Sequence, residues 1–383
     1  MDYFNASKGW TILFPPDVPH AKKAVEDLSR YIGLLASVAA TVSKAPPVMD
    51  ALGPSPEGDV IVLSCGLHGC EQNGFSWRAG EDRVEILGES GRGLCNGIYS
   101  FLSALGISWP APGQEEIPTV KDASGGRLIP LASAGEFSLS GGDNPPADSR
   151  PSPTTLSSPT MLSLANLRRF VPDGNSEVKA LLKKSEAFVE WAARCRYDAI
   201  VFPLAAYASV DGRKLKQLRQ LAGEYGIALE AGGRELSSLV PRRYFFLHRD
   251  FFRMDDGKRT KDHHFCPTNP DVTRLIAKEG GRLFRSAADA PVIHLWPDEG
   301  AETAWCSCPT CRAFSSLEQN RIAINTAADA LAALRRDANP VADRDADFTP
   351  FISYFEKPGE GGKIPPRKNT FSLSELPGAR HLF

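Results

Sequence analysis

The sequence has no uninterrupted run of about 18 apolar residues, so it encodes no helix able to span a bilayer. It also lacks a dominant sign of charge. Its 44 Lys and Arg stand against 46 Asp and Glu, a formal net charge of -2. No basic surface is expected, and nucleic acid is excluded as an expected partner. The opening stretch MDYFNASKGWTILFPPD has no basic region followed by a long apolar one, which is the form of a secretory leader. A cytoplasmic location is therefore expected for the chain as given, and a periplasmic or secreted one if its start is missing. Eight cysteines in 383 residues are too few to demand a disulfide framework. The segment GESGRG (88–93) lacks the lysine and the full glycine spacing of a phosphate loop, and reads as a strand-to-helix turn.

What is present is a globular composition, 42% hydrophobic, enough for a sizeable core. The length suggests two domains. Residues 1–112 read as a small α+β accessory domain. Strands are expected at 10–14, 59–63, 75–78 and 83–87, and helices at 20–36 and 94–105. Residues 113–165, rich in Gly, Pro, Ser and Thr, read as an irregular linker. From 166 to 383 a β-then-α rhythm returns. Strands are expected at 167–171, 197–204, 227–230, 292–296 and 351–355, with helices at 176–195, 214–225, 270–287 and 315–336. Repeated strand–helix units imply a parallel sheet, and the expected fold class is α/β: an accessory domain followed by a (β/α) TIM-like barrel. Five expected strands fall short of the eight of a closed barrel, so the barrel is expected to be incomplete at the C-terminus.

In such a barrel the loops after the strand C-termini build the site. That rule selects Tyr207, then Arg234 and Glu235 after Gly232-Gly233, then Asp298 and Glu299 after the apolar run ending in His294-Leu295-Trp296. Carboxylates, an arginine and aromatics converging on one face suit glycoside hydrolysis: an acid for the leaving oxygen, a second group for the ring carbon, and aromatic platforms for sugar faces. Adjacent carboxylates on extended chain point in different directions. One donating acid and one orienting neighbour is therefore the better division of labour for Asp298 and Glu299 than a facing pair. Trp296 and Trp305 would raise the acid's pKa if they desolvate it. The aromatic, basic segment 244–269 lies where a binding loop would, and His248, Arg253, Arg259, His263 and His264 are its candidates to line a polar pocket. Cys306-x-Cys308-x-x-Cys311 has the spacing of a thiolate metal site, and Cys266 in the preceding loop is a candidate fourth ligand. A structural zinc ion, a disulfide from Cys266, or reduced packing cysteines all remain open. The other four cysteines read as small buried residues. The carboxylate chemistry itself requires no cofactor.

The segments GGREL (232–236), FRMDDGKR (252–259), FCPTNPD (265–271) and HLWPDEG…WCSCPTC (294–311) together resemble domain-of-unknown-function family 4838, bacterial proteins related to glycoside hydrolases. GLCNGIYSFLSALGISWPAP (93–112) resembles the α-glucuronidase-type N-terminal domain that precedes the barrel in hexosaminidases of family 20 and α-glucuronidases of family 67. The resemblance implies a carbohydrate ligand and a barrel-top site. By similarity to the Asp-Glu pair ending the fourth barrel strand of family 20, it implies Glu299 as general acid/base and Asp298 as the carboxylate that orients the substrate. The alternative is a non-catalytic carbohydrate-binding or scaffold protein on a degenerate barrel. Nothing in the sequence assigns an oligomeric state.

Overall fold

Alternating burial builds the first sheet. In Arg83–Gly88 the side chains of Val84 and Ile86 are buried while Glu85 turns outward to Arg78 and Arg83. The computed structural model describes residues 3–5, 9–36, 40–44, 59–66, 73–80, 82–118, 128–130, 168–172, 174–209, 212–287, 290–298, 304–338, 351–355 and 362–373. The first domain contains β1 (Tyr3–Asn5), β2 (Trp10–Phe14), α1 (Lys22–Ala36), β3 (Thr41–Lys44), β4 (Asp59–Cys65), β5 (Phe75–Ala79), β6 (Arg83–Gly88) and α2 (Gly91–Ala104). Its sheet runs β3-β2-β4-β6-β5, parallel except for the β5–β6 hairpin. Leu28, Ile32, Leu94 and Ile98 bury the apolar faces of the two helices in the same core as Ile12, Ile61 and Ile86. At the turn into α2, the Ser90 hydroxyl caps the helix by accepting from the Gly93 amide at 3.1 Å, as the strand-to-helix reading expects. A short β7 (Leu128–Pro130) pairs antiparallel with β1.

The second domain is an α/β unit. Its elements are β8 (Arg169–Phe170), α3 (Gly174–Lys183), α4 (Ser185–Arg194), β9 (Ala199–Phe202), α5 (Leu204–Ser209), α6 (Gly212–Glu224), β10 (Ala228–Gly233), the hairpin β11 (Met254–Asp255) and β12 (Lys258–Arg259), α7 (Pro270–Ser286), β13 (Val292–Leu295), α8 (Ser316–Ala338), β14 (Phe351–Phe355) and β15 (Thr370–Leu373). Six strands form one sheet in the order β8-β9-β10-β13-β14-β15, every pair parallel. Spatial neighbours are thus sequence neighbours, and helices join most of them. This is a curled, TIM-like half-barrel, preceded by the small α+β domain. Ile200, Phe202, Leu229, Ile293, Leu295 and Ile352 belong to the large core shared with the helices. Val201, Val292, Trp296, Phe371 and Leu373 form a second cluster. Period-2 alternation divides β9 and β13 between the two.

The two domains share one core. Arg92 on α2 is buried, donating to the Tyr197 carbonyl at 2.6 Å and the Tyr225 carbonyl at 3.2 Å, and pairing with Asp198 at 3.7 Å. Trp191 donates its indole N–H to the Trp109 carbonyl at 3.0 Å, and Arg194 grips Asp27 with two hydrogen bonds.

Three expectations are corrected. The helix expected over 176–195 is two helices meeting at Lys184. Cys65 is exposed rather than buried, because it ends β4 where the strand leaves the sheet. The parallel strands of the second domain number six among the described residues, not five: β15 was hidden in a polar stretch in which Arg367, Asn369 and Thr370 hydrogen-bond to α8 or to the turn before the strand. Most of the expected linker, including 141–160, lies outside the described residues.

Candidate functional site

The inner face of the parallel sheet carries polar side chains at its centre. Arg169 on β8, Glu230 on β10, His294 on β13 and Ser353 on β14 are all buried. Arg169 Nε donates to Glu230 Oε2 at 2.6 Å, and His294 Nε2 meets the same oxygen at 2.8 Å. His294 Nδ1 contacts the Ser353 hydroxyl, which also accepts from the Trp296 indole N–H at 3.0 Å. One assignment satisfies every group. The serine O–H donates to Nδ1, and a neutral imidazole donates from Nε2 to the carboxylate. Burial pushes His294 below its ordinary value, and Glu230 offsets this only in part. Burial alone would raise the Glu230 carboxyl. The Arg169 guanidinium and the imidazole outweigh it and hold it at about 2.

This chain of bonds needs close strand approach. Gly232 pairs with His294 across the sheet with φ +107°, and a Cβ there would lie 2.1 Å from the His294 carbonyl oxygen. Only glycine fits. The strand ends then interlock: Trp296 N–H donates to the Gly233 carbonyl at 2.9 Å and Leu236 N–H to the Trp296 carbonyl at 3.1 Å.

Asp298 follows directly, half-buried. Its Oδ2 lies 3.4 Å from Arg242 Nη2, the nitrogen that also donates to the His263 carbonyl. Its Oδ1 is buried with no hydrogen-bond partner among the described residues. Glu299 lies outside the described residues. Arg234 is half-buried at the end of β10. The Glu235 carboxylate accepts from the Leu204 amide at 2.7 Å, so it caps α5.

Several expected ligand contacts lie below the surface. Tyr207 is buried against Phe202 with its hydroxyl accepting from Arg219, a packing position on the helical side of the sheet. His294 and Trp296 are enclosed in the inner-face network. His264 is buried and stacks on Trp305, ring centroids 4.2 Å apart and 19° between planes. The exposed aromatic of the 244–269 segment is instead Phe246, 80% accessible beside the equally exposed Leu247. Sequence reasoning missed Glu230, Arg169, Ser353 and Arg242. Glu230 did carry a signal: it is a charged residue inside a strand, between Leu229 and Ala231.

The four cysteines expected as ligands come together. Cys266, Cys306, Cys308 and Cys311 are buried, and their Sγ atoms all lie within 4.8 Å of one another. All four are free, so the disulfide alternative is not realised. The Met254 amide donates to Cys306 Sγ at 3.3 Å, and Arg259 Nη1 reaches the same sulfur at 3.6 Å. Gln319 on α8 fastens the knuckle. It accepts from the Cys306 amide and donates to the Cys306, Cys311 and Phe314 carbonyls at 3.1–3.3 Å. Protons are shared unevenly. Hydrogen bonds from Cys306 and Cys311 push the Cys266 thiol far down, while contact with Cys266 pushes Cys311 up. This set of donors fits a thiophilic metal ion and, with all four sulfurs committed, leaves no open position for catalysis.

The chain matches no protein-family model and no curated protein sequence. Among solved structures it is similar to a family 20 exo-β-N-acetylglucosaminidase from Vibrio harveyi, at 11% identity and a TM-score of 0.43, over 97% of this chain and 54% of that one. It is also similar to a family 20 β-N-acetylhexosaminidase from Streptomyces coelicolor (9% identity, TM-score 0.44, 97% and 66%). A third is a family 115 4-O-methyl-α-glucuronidase with specificity for decorated arabinogalactans (13%, 0.45, 93% and 43%). The chain thus spans between 43% and 66% of the length of these three structures.

Proposed function

We propose that the carboxyl ends of β10 and β13 form a carbohydrate-directed site of glycoside hydrolase type, with Glu299 as general acid/base and Asp298 as the orienting carboxylate. Asp298 carries the reading. It follows the fourth strand of the parallel sheet, has one oxygen held by Arg242, and keeps a buried second oxygen without a partner among the described residues. A buried acceptor left unmatched is destabilising by roughly 1–3 kcal/mol, which a substrate N–H or O–H would relieve on binding. The resemblance to family 20 gives that donor a chemistry, an acetamido group aligned as internal nucleophile. Glu299 then protonates the leaving oxygen and later activates water. The network of Arg169, Glu230, His294 and Ser353 contributes by fixing Trp296, and through it the backbone leading to Asp298.

The test is a panel of aryl glycosides, N-acetylglucosaminides included, with wild type and Glu299→Gln. Hydrolysis is expected to fall by at least about 100-fold in the variant, the contribution typical of a positioned acid/base. Equal rates would remove Glu299 from that role.

A second reading, binding without hydrolysis, is favoured by one observation. Trp296 and Trp305 are buried, whereas Phe246 is presented outward as an apolar platform. Calorimetric binding of oligosaccharides, weakened in Phe246→Ala and accompanied by no hydrolysis of any glycoside, is its signature.

A further inference from the structure

We propose that Cys266, Cys306, Cys308 and Cys311 bind one zinc ion, and that the loaded centre is a clamp that holds the Trp305–His264 stack and, through the His263 carbonyl, positions Arg242 beside Asp298. Four thiolates around zinc at about 2.3 Å stand about 3.8 Å apart along the edges of a tetrahedron. Cys266 Sγ lies 3.8 Å from Cys308 Sγ and 3.6 Å from Cys311 Sγ. These two separations are those of a tetrathiolate shell, and all four sulfurs lie within 4.8 Å of one another.

The surroundings also suit a metal–thiolate unit. The local cluster consists of the four cysteines with Met254 packed on it, separate from the large core. It joins a hairpin of two-residue strands, turned at Asp256-Gly257 with both φ positive, to the 304–314 loop and the start of α7. Phe251, Phe252, Phe265 and Trp305 anchor the same segments in the large core, and the cysteine cluster adds a local cross-link between them. No disulfide joins the four. The Met254 N–H and the Arg259 guanidinium point at Cys306 Sγ, and the Thr268 hydroxyl lies 3.1 Å from Cys311 Sγ. These are the outer partners that a negatively charged zinc–thiolate unit recruits.

Connection to Asp298 is through adjacent residues. Trp305 precedes Cys306 and stacks on His264, two residues before Cys266. The neighbouring His263 carbonyl takes the Arg242 guanidinium, which pairs with Asp298. Ordering Cys266 against Cys306 therefore orders the stack and the carbonyl that holds Arg242. This holds whether or not the protein hydrolyses a sugar.

The full chain, purified under reducing conditions from zinc-supplemented medium, is expected to contain one zinc per chain by elemental analysis. Cobalt substitution is expected to give the intense visible bands of tetrahedral thiolate coordination. Cys308→Ala and Cys311→Ala lose the metal at least tenfold in occupancy, while Cys95→Ala, a buried cysteine outside the cluster, keeps it. If those variants fail to fold, stripping zinc from wild type with a strong chelator and restoring it gives the same comparison. Amide exchange is expected to speed up reversibly over 242–266 and 304–314 on stripping, with β2, β4 and β6 unchanged. Less than about a tenth of an equivalent of zinc after reconstitution, or iron in its place, overturns the metal assignment. Zinc loss with unchanged exchange over 242–266 overturns the clamp. Neither readout depends on hydrolysis, so the same experiments on Glu299→Gln keep a failure here distinct from a failure of the glycosidase reading.

Discussion

The inner-face network and the thiol cluster are both buried and polar, and both bear on the chain around β13, yet they are satisfied in different ways. In the network every donor meets an acceptor within the protein: guanidinium to carboxylate, imidazole to carboxylate, hydroxyl to imidazole, indole to hydroxyl. The thiol cluster gathers four acidic groups that cannot ionise together without a cation. A closed network can be built by strands alone, because strand register fixes each partner. An open one sits on loops and gains its rigidity from what it binds.

The comparison breaks first at Glu230. Replacing Glu230 by Ala leaves the Arg169 guanidinium buried and uncompensated, and about 3–5 kcal/mol of stability is expected to be lost in denaturant unfolding. An Arg169→Met/Glu230→Leu double variant, which removes both charges, should recover much of this. A loss below about 1 kcal/mol in Glu230→Ala would mean that the network is not what holds the sheet. Ser353→Ala removes the hydroxyl shared by Trp296 and His294. About 1–3 kcal/mol is expected to be lost, since two buried groups lose a partner.

Acid sharpens the contrast. Glu230 is held at about 2 in the folded chain against an ordinary 4.5, so its contribution is complete above 4.5 and is lost as pH falls from there towards 2. His294, lowered from 6.5, acts in the same direction, and its contribution fades as pH falls below 6.5. Unfolding midpoints on zinc-stripped protein are therefore expected to fall in two stages, and Ser353→Ala should alter the upper one. A midpoint that is flat from pH 7 to 4 would contradict the assignment of a neutral, buried His294. The smallest effect is expected at Arg242. Its pair with Asp298 is partly exposed, and Arg242→Ala should change stability by no more than about 1 kcal/mol. Its consequence should appear in sugar binding instead. Unchanged affinity in a chain that does bind sugar would detach Arg242 from the site.

Legibility followed the kind of signal each element carried. β9 and β13 are runs of buried Ile, Val and Leu and were plain from composition, whereas the β3 segment TVSK is an edge strand of mixed exposure with no apolar pattern to read. The thiol site was visible because a knuckle of three cysteines within six residues leaves few geometries open. The fourth ligand could only be nominated, since 40 residues separate Cys266 from Cys306. Trp296 and Tyr207 follow β13 and β9, and His264 and Trp305 lie in loops, yet position along the chain does not report burial. Aromatic rings near a strand end can face a cleft or pack under it, and here they pack.

By itself the sequence determined the strand–helix rhythm, hence the parallel sheet, and the local chemistry of the Asp298 and cysteine segments, because periodicity and spacing act over a few residues. Only the tertiary structure decided that Arg169, Glu230, His294 and Ser353 share one chain of hydrogen bonds and that Arg242 is the partner of Asp298. Those pairings join residues 56 to 64 positions apart. They are set by strand register and by the approach that Gly232 permits, which no local pattern encodes.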